Sequence, residues 1–306
     1  MKLRRFRKWV LMLSGKGTLH VKKGEGENWS KEEVRGFYID YSGKLNTKQI
    51  NEEGLPYTKL ENGTTAVLPI TVIQYGLGCY EEMLKGKTDQ RQGFYRCVDY
   101  LMKTQAPEGF WRAFAAQKTT NVMSSMVQGE AAALLLRAYR DSEKQDYLDA
   151  AKRACDFMLL DKEQGGTAET VQGHLVLLEG TDCPMILNGA IYSWFGLYDL
   201  WKVTGDIRYG AATEDVIAGI KCQLPAYDTG YWSYYCLDKR IASPFYHQLH
   251  ITQLRVLAKL LDDNDFESEA RKYEKYYCNR FCYGRAFVKK AFQKLTEKND
   301  AIAIIE

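Results

Sequence analysis

The sequence predicts an all-α protein, an α/α barrel or incomplete toroid of about four helix pairs that follows a short irregular N-terminal segment. Apolar residues recur at helical spacing in paired segments after Pro69. The second helices of the last three pairs begin near residues 146, 208 and 265, a recurrence of about sixty residues. The loops between pairs are long and aromatic-rich, which favours the toroid over the main alternative, a solenoid of stacked helix pairs.

The predicted helices form consecutive pairs of an apolar first helix and a more amphipathic second helix, as inner and outer rings require. The pairs are 70–86 with 92–105, 124–142 with 146–160, 186–205 with 208–224, and 246–263 with 265–281. We expect an N-terminal extension at 1–66 with room for one short hairpin, an α/α-barrel domain at 67–290 and a C-terminal tail at 291–306.

Composition excludes several classes of protein. The net charge of +3 over 306 residues, with no basic stripe beyond the first eight residues, does not indicate nucleic-acid binding. No C-x-x-C pair occurs among the eight cysteines, and Cys278 and Cys282 are expected on one helix face, so we predict reduced thiols and no zinc site.

The basic N terminus has too few apolar residues after it for a secretion signal or a membrane span. We therefore expect a cytoplasmic protein. Peripheral membrane contact through this basic segment stays open, and so does a homodimer.

Three long loops, at 106–122, 163–184 and 226–244, each lead from one helix pair to the next. In a toroid they lie at the same end, where a substrate cleft is expected. The loop at 226–244 carries an aromatic run that includes Trp232 and Tyr235 and indicates a sugar-stacking wall, with local packing as the alternative. Asp228 in the same loop predicts a turn closed on its own backbone.

Tyr246, His247 and His250 lie within one turn at the start of a predicted helix, behind Ser243 and Pro244. Metal binding, core packing and proton transfer are all compatible with this spacing. A metal site needs further ligands, and no H-E-x-x-H pattern exists. Two more features stand out: Glu179 before the helix that opens at "ILNG", and Gln128-Gly129, whose glycine allows close helix packing.

Several stretches together resemble the C-terminal domain of heparosan/heparan-sulfate glucuronyl C5-epimerases. "SSMVQGEAAALLLRAY" is similar to the family's S-A-M-A-Q-G-Q helix, and "ILNGAIYSWFGLYDLWKVTG" to its V-L-N-G-x-x-Y-S-x-x-G-L-Y-D-L stretch. "LPAYDTGYWSYYCL" resembles its L-P-x-Y-D-T-G segment, and "FYHQLHITQL" its Y-H-x-x-H-I-x-Q-L helix. "EEGLPYTKL" and "PITVIQYGLGCY" extend the likeness upstream to residues 52–80.

The resemblance implies an α/α barrel and assigns roles to residues of this chain. It makes Tyr246 and Glu179 the two proton-transfer groups, with Tyr235 assisting. The remaining predicted site residues are taken to bind substrate: His250, Asn188, His174, Gln128, Trp232, Lys239 and Arg240.

The chain departs from the family pattern at a few positions. Gly180 replaces a tyrosine, Asp238 replaces a basic residue that Lys239 and Arg240 follow at once, and Leu68 replaces an aromatic residue. The β-rich domain that animal members insert after the "PITVIQYGLGCY" stretch is missing.

The expected function is conversion of D-glucuronyl to L-iduronyl residues in a polysaccharide or oligosaccharide, by removing the C5 proton and returning one to the opposite face. No redox cofactor is needed, and no nucleotide-binding motif occurs. A polysaccharide lyase shares the first step, and a non-catalytic glycan-binding scaffold is the alternative from another class.

Overall fold

The computed structural model describes residues 24–59, 63–113 and 123–296. Within these residues, nine helices dominate the structure: α1 (Pro69–Leu84), α2 (Gln90–Thr104), α3 (Ser125–Ser142), α4 (Gln145–Leu159), α5 (Leu187–Thr204), α6 (Ile207–Gln223), α7 (Pro244–Leu261), α8 (Asn264–Cys278) and α9 (Arg280–Thr296). Helices α1 to α8 confirm the four predicted pairs.

The strands are short and form two pairs, one before α1 and one between α4 and α5. Strands β1 (Thr58–Lys59) and β2 (Thr65–Ala66) form an antiparallel pair. Strands β3 (Ala168–Val171) and β4 (His174–Leu177) form a second hairpin, in which Val171 pairs with His174. This second hairpin occupies the segment 163–184, for which the sequence predicts only a loop.

The first helix of each pair lies inside and the second lies outside. Helix α3 packs against α1, α4 and α5, and α5 packs against α7, so successive inner helices are neighbours in an incomplete toroid. The burial pattern explains the order: almost every side chain in the first part of α3 and α5 is buried, whereas α4 and α8 bury one face. An all-α incomplete toroid is therefore the observed fold, as predicted.

Glycines permit the close contact of α3 with α5. A methyl group on Gly129 would lie 2.6 Å from the Cα atom of Ser193, and one on Gly196 would lie 2.0 Å from the carbonyl oxygen of Gly129. The Ser193 hydroxyl donates to the Ser125 hydroxyl across this contact at 2.7 Å. The packing role predicted for Gly129 is confirmed.

The segment 24–59 packs into the same core as the helices. Phe37 and Tyr41 stack with ring centroids 5.5 Å apart, and Tyr38 stacks on Phe195 of α5 at 4.5 Å. These rings are almost fully buried. The N-terminal segment, although irregular, therefore covers apolar surface of α5 that would otherwise face water.

The last predicted helix is interrupted at Asn279. Its side chain accepts hydrogen bonds from the backbone N–H groups of Phe281 and Cys282, so it ends α8 and caps the start of α9. Cys278 and Cys282 consequently lie on different helices, and the prediction that they share one helix face is wrong.

Helix α9 runs past the expected boundary at residue 290. Among the described residues, no helix is long and apolar enough to cross a membrane. The basic N-terminal residues, for which membrane contact stays open, lie outside the described part of the chain. All eight cysteines are free thiols.

Candidate active site

The described parts of the inter-pair loops meet at the starts of the inner helices. The carbonyl of Leu178 accepts from the N–H of Ser125 at 2.8 Å, which ties the segment after β4 to the start of α3. The N–H of Leu187 donates to the carbonyl of Tyr235 at 3.3 Å, which ties the loop 226–244 to the start of α5. The expected gathering of loops at one end is therefore observed for these two. The loop 106–122 is described only to residue 113.

Glu179, Tyr235 and Tyr246 come together at this junction. The Tyr235 hydroxyl donates to Oε1 of Glu179 at 3.4 Å, and the rings of Tyr235 and Tyr246 are 4.7 Å apart. All three side chains are partly buried. They come from the segment after β4, the loop 226–244 and the first turn of α7, so about seventy residues of sequence separate the outermost two.

Local structure orients Tyr246. Ser243 accepts a hydrogen bond from the N–H of Tyr246 and caps α7, and Pro244 occupies the first helical position. The Ser-Pro helix start is thus as predicted. Tyr246 in the first turn projects toward the loop that carries Tyr235.

Burial changes the protonation of the cluster. It raises the pKa of Glu179 to about 7, although the Tyr235 hydroxyl and Arg240 oppose part of the increase. Burial and the Glu179 charge raise the pKa of Tyr246 to about 12. Near neutral pH the carboxyl group can therefore both accept and donate a proton, while the phenol is protonated.

Arg240 is the cation beside the cluster. Its guanidinium group lies 6.0 Å from the centre of the Tyr235 ring, and its Nε atom lies 2.6 Å from Oδ2 of Asp238. Asp238 replaces a basic residue of the family pattern, but through this ion pair it holds Arg240 in place. Lys239 is exposed and has a positive φ of 67°. Its carbonyl oxygen accepts a hydrogen bond from Gln293 of α9.

Two residues at the start of α5 adjoin the carboxyl group. The Asn188 side-chain amide lies 3.5 Å from Oε2 of Glu179, and its own Oδ1 atom is buried without a hydrogen-bond partner. A methyl group added to Gly189 would lie 2.2 Å from Oε2 of Glu179. The glycine of the "ILNG" stretch therefore leaves the space that the carboxyl group occupies.

The two histidines of α7 are fully buried and share Ser233 as a partner. His247 donates from Nε2 to the carbonyl of Tyr273 at 2.9 Å and stacks on Trp232 with ring centroids 3.7 Å apart. Its Nδ1 atom lies 2.7 Å from the Ser233 hydroxyl, and Nδ1 of His250 lies 3.0 Å from the same oxygen. His247 therefore packs and orders the loop.

Burial lowers the pKa of His250 to about 3, so the ring is neutral near neutral pH. It therefore cannot supply positive charge to Tyr246. Its Nε2 atom is buried and has no hydrogen-bond partner within the described part of the chain, which is unusual for a buried polar atom.

Three other predicted residues do not contact the cluster. His174 lies on β4, and its Nδ1 atom is 3.1 Å from Oδ1 of Asp215 on the outer helix α6. The Gln128 side-chain amide is hydrogen-bonded to the backbone of Trp111. Its oxygen accepts from the N–H of Trp111 at 2.9 Å, and its NH2 group donates to the carbonyl of Trp111 at 3.0 Å. Trp232 is fully buried and donates from its indole to the carbonyl of Ala242.

The aromatic run in 226–244 therefore serves mainly for packing, the alternative weighed for the sugar-stacking wall. Tyr227, Tyr231 and Trp232 are buried. The turn predicted at Asp228 is present, because its Oδ1 atom accepts from the N–H of Gly230 at 2.7 Å.

Sequence reasoning missed a second buried carboxyl group, Glu130 on α3. It accepts hydrogen bonds from the Tyr41 hydroxyl and from Gln74. Burial and the charge on Glu179 raise its pKa to about 7, although the two hydrogen bonds and the charge on Lys44 oppose part of the increase. Glu130 stands where the family motif S-A-M-A-Q-G-Q has its last glutamine, a difference that could have identified it.

Among the described residues, no group of three or more His, Cys, Asp or Glu side chains is arranged to hold a metal ion. The arrangement at Glu179 instead provides a titratable carboxyl group, two phenols and a cation. Groups of these types can accept and donate protons. The fold and this cluster together define a helical toroid in which a titratable carboxyl group and two phenols meet where the loops join the inner helices.

Comparison with known proteins gives the family. Residues 106–275 match the model of the D-glucuronyl C5-epimerase C-terminus. The chain belongs to that family, as the sequence motifs indicated. A D-glucuronyl C5-epimerase of Caenorhabditis elegans is 28% identical over 230 residues, which cover 64% of this chain and 37% of that protein. The chain therefore spans little more than a third of this relative's length.

Solved structures also resemble the chain. A D-mannose isomerase aligns with a TM-score of 0.53 at 10% identity, over 88% of this chain and 84% of the other, which shows a shared fold. An α-1,6-mannanase variant from Salegentibacter sp. HEL1_6 aligns with a TM-score of 0.48 at 14% identity, over 71% of this chain and 64% of that one.

Proposed function

We propose that this protein is a cofactor-independent uronate C5-epimerase that converts D-glucuronyl to L-iduronyl residues in a polysaccharide or oligosaccharide. The observation that carries the proposal is the meeting of Glu179, Tyr235 and Tyr246 at the junction of the loops. Membership of the D-glucuronyl C5-epimerase family supports the same reaction.

The main requirement of the reaction is to stabilise the negative charge that develops at C5. Removing the C5 proton places a carbanion next to an ionised carboxylate, which is very unfavourable in water. Arg240, beside Tyr235, is the cation available to the substrate carboxylate. Lys239 on the same loop can attract an anionic chain toward the cleft without entering it.

Glu179 and Tyr246 divide the proton transfers. With a pKa of about 7, Glu179 is partly ionised near neutral pH and takes the C5 proton of a glucuronyl residue. Tyr246, whose pKa is about 12, is protonated and donates to C5 from the other face. In the reverse direction the two residues exchange roles.

One turnover leaves Glu179 protonated and Tyr246 deprotonated, so the site must be reset. The Tyr235 hydroxyl hydrogen-bonds with Glu179 and also with Tyr246. A proton can pass from the carboxylic acid to Tyr235 while Tyr235 gives its own proton to Tyr246. Tyr235 thus assists both transfers without contacting C5.

Asn188 and His250 are the residues best suited to hold sugar hydroxyl groups. Each has a buried polar side-chain atom that has no hydrogen-bond partner among the residues that the structure describes, Oδ1 of Asn188 and Nε2 of His250. Such atoms are costly to bury unless a ligand or water satisfies them. His174, Gln128 and Trp232 have partners inside the protein, so we propose a supporting role for these three.

The test is incubation with heparosan and related uronate polymers in deuterated water, read by NMR. Deuterium entering C5 without chain cleavage supports the epimerase. Glu179→Gln and Tyr246→Phe should each lower the exchange rate at least about 100-fold. The matched controls are Glu163→Gln, in the same loop as Glu179, and Tyr234→Phe, in the loop that precedes α7. Both residues lie outside the cluster, and both variants should keep the rate.

Other results would reject the proposal. Absorbance from an unsaturated uronate, with chain cleavage, would identify a lyase that expels the C4 oxygen. Binding of the polymer without any exchange, unchanged in both variants, would identify a glycan-binding scaffold.

A further inference from the structure

The two buried histidines of α7 are joined through the hydroxyl group of Ser233. Nδ1 of His247 lies 2.7 Å from this oxygen, and Nδ1 of His250 lies 3.0 Å from it. All three side chains are fully buried. A hydroxyl group has one hydrogen, so it donates to one of the two rings and accepts from the other. The three side chains therefore form a hydrogen-bond chain with one direction.

His247 sets the direction of this chain. Its Nε2 atom lies 2.9 Å from the carbonyl oxygen of Tyr273, which can only accept, so Nε2 carries the hydrogen. Burial lowers the pKa of His247 to about 3, so the ring is neutral near neutral pH and Nδ1 has a lone pair. The N–H of Ser233 donates to this lone pair at 3.2 Å. The Ser233 hydroxyl must donate there as well, because two lone pairs 2.7 Å apart would repel each other.

The same chain fixes the hydrogen of the His250 ring. Since the Ser233 hydroxyl donates to His247, its oxygen is left to accept, and Nδ1 of His250 supplies the hydrogen. A neutral imidazole has one N–H group, so Nε2 of His250 is an acceptor only. This buried atom has no hydrogen-bond partner among the described residues, and the partner that it lacks is therefore a donor.

His250 lies between two residues of α7 that contact the candidate site. Tyr246, one turn before it, has its ring 4.7 Å from that of Tyr235. Gln253, one turn after it, donates from its side-chain amide to the backbone carbonyl of Asn188 at 3.0 Å. The buried Oε1 atom of Gln253 and Oδ1 atom of Asn188 also have no partner within the described ranges. All three atoms accept and cannot donate, so a hydroxyl group suits them and a carboxylate does not.

We propose that Ser233 and His247 are positioning residues, which hold His250 in the form with hydrogen on Nδ1 so that its Nε2 atom accepts a hydrogen bond from a hydroxyl group of the bound sugar. The sugar as ligand rests on the proposed function, whereas the position of the hydrogen does not. An anionic group at Nε2 would set lone pair against lone pair and leave the site unpaired. The substrate carboxylate is therefore directed away from His250, which is consistent with Arg240 as its partner.

Nitrogen-15 NMR of the full chain, labelled at its four histidines, tests the hydrogen positions without any substrate. Couplings between the ring nitrogens and the carbon-bound ring protons distinguish the two neutral forms. The variants His247→Gln and His250→Gln assign the signals. We expect hydrogen on Nε2 of His247 and on Nδ1 of His250. Hydrogen on Nε2 of His250 in the parent would overturn the proposal, whether or not the protein epimerises a uronate.

The same spectra test the ligand contact when heparosan is added. The Nε2 signal of His250 should shift as the polymer binds, because a donor then occupies its lone pair. Heparosan that binds without moving this signal would overturn the contact between His250 and the sugar.

Ser233→Ala removes the hydroxyl group that fixes the His250 ring, so its hydrogen should move to Nε2. A bond to a sugar hydroxyl is present in the bound substrate and in the transition state alike. The KM for heparosan should therefore rise about tenfold, while kcat stays within about twofold of the parent value. Ser233→Thr retains the hydroxyl and should keep both the hydrogen position and KM. Thr213→Val, which removes a buried hydroxyl from the outer helix α6, is the matched control.

A purely structural role for Ser233 gives a different result. If Ser233→Ala lowers kcat and leaves KM and the His250 signals unchanged, the residue only supports the loop that carries Tyr235, and the proposal is overturned. Circular dichroism shows whether each variant is folded. Absence of exchange in the parent would reject the proposed function, and the spectra of the protein without substrate would still decide the position of the hydrogen.

Discussion

Asp199 and Glu179 each accept a hydrogen bond from a tyrosine hydroxyl, but among the described residues only Asp199 also forms an ion pair. Asp199 on α5 accepts from Tyr38 at 2.6 Å and from Arg137 at 2.7 Å, and both members of the ion pair are almost fully buried. Glu179 has only long hydrogen bonds, to Tyr235 at 3.4 Å and Asn188 at 3.5 Å. No ion pair forms at Glu179 among the residues that the structure describes.

The difference separates a carboxylate whose charge is balanced by an ion pair from a carboxyl group that titrates near neutral pH. The Arg137 guanidinium also donates to the carbonyls of Ala133 and Gly36, so the network joins α3, α5 and the N-terminal segment with its charges balanced. The charge of Glu179 is not balanced by an ion pair among the described residues, and burial raises the pKa of this carboxyl group to about 7. A balanced pair holds the fold together, whereas an unbalanced carboxyl group can exchange a proton near neutral pH.

The largest effect is expected when the cation of the Arg137–Asp199 ion pair is removed. Arg137→Met leaves Asp199 buried without its cation and should lower the free energy of unfolding by about 3–5 kcal/mol. Urea denaturation measures the change. Adding Asp199→Asn should restore part of the loss, because the uncompensated charge is then removed. A single variant as stable as the parent would show that the pair is not needed.

A smaller effect on stability is expected when the space around the Glu179 carboxyl group is reduced. Gly189→Ala places a methyl group against Glu179 and should displace it, at a cost of about 1–3 kcal/mol in stability. Misplacement by about an ångström should lower deuterium exchange roughly 100-fold. Gly284→Ala on α9, where a methyl group meets no atom within 4 Å, is the control. Exchange at the parent rate in Gly189→Ala would mean that the position of Glu179 is not critical.

The pH dependence of stability sharpens the comparison further. In the folded protein the pKa of Glu179, about 7, lies above its ordinary value of 4.5. Between those values the unfolded chain has lost the proton that the folded protein keeps, so the stability contributed by Glu179 falls as pH rises from about 4.5 to about 7. Glu130 acts in the same direction.

Glu179→Gln should therefore reduce the loss of stability that occurs as pH rises. The difference in free energy of unfolding between about pH 5 and about pH 8 should shrink by about 1–2 kcal/mol. Glu130→Gln should flatten it as well and should move the acid limb of the exchange–pH profile to lower pH, because two nearby carboxyl groups raise each other's pKa. An unchanged pH dependence of stability in both variants would contradict the raised pKa values.

The smallest effect is expected at an exposed ion pair of the same kind as Arg137–Asp199. Arg140 lies 3.1 Å from Glu33, and their side chains are 48% and 50% exposed. Arg140→Ala should change the free energy of unfolding by less than about 1 kcal/mol. A loss as large as that of Arg137→Met would show that burial is not what distinguishes the two pairs.

Much of the fold could be predicted because helices are read from local periodicity. The apolar spacing located α1 to α8, and the glycine at 129 correctly indicated a close helix contact. The β3–β4 hairpin and the break at Asn279 were missed. A short hairpin has few residues per strand, and Asn279 ends a helix through side-chain hydrogen bonds that periodicity does not contain.

The site was predicted in part. The motifs named Glu179, Tyr235 and Tyr246, which the structure brings together, although their chemical roles stay predictions. The same motifs could not indicate that the Gln128 side chain hydrogen-bonds with the backbone of Trp111. Nor could they indicate that burial keeps the His250 ring neutral. Both depend on neighbours distant in sequence.

The sequence by itself determined the helical pairs, the Ser-Pro start that orients Tyr246 and the family to which the chain belongs. Those features rest on local spacing and on motifs that are linear in the chain. Only the tertiary structure decided which polar groups meet and that the charge on Glu179 acts on Glu130. These depend on desolvation and on contacts across the toroid, because a carboxyl group acquires its pKa from the groups that surround it and not from its neighbours in sequence.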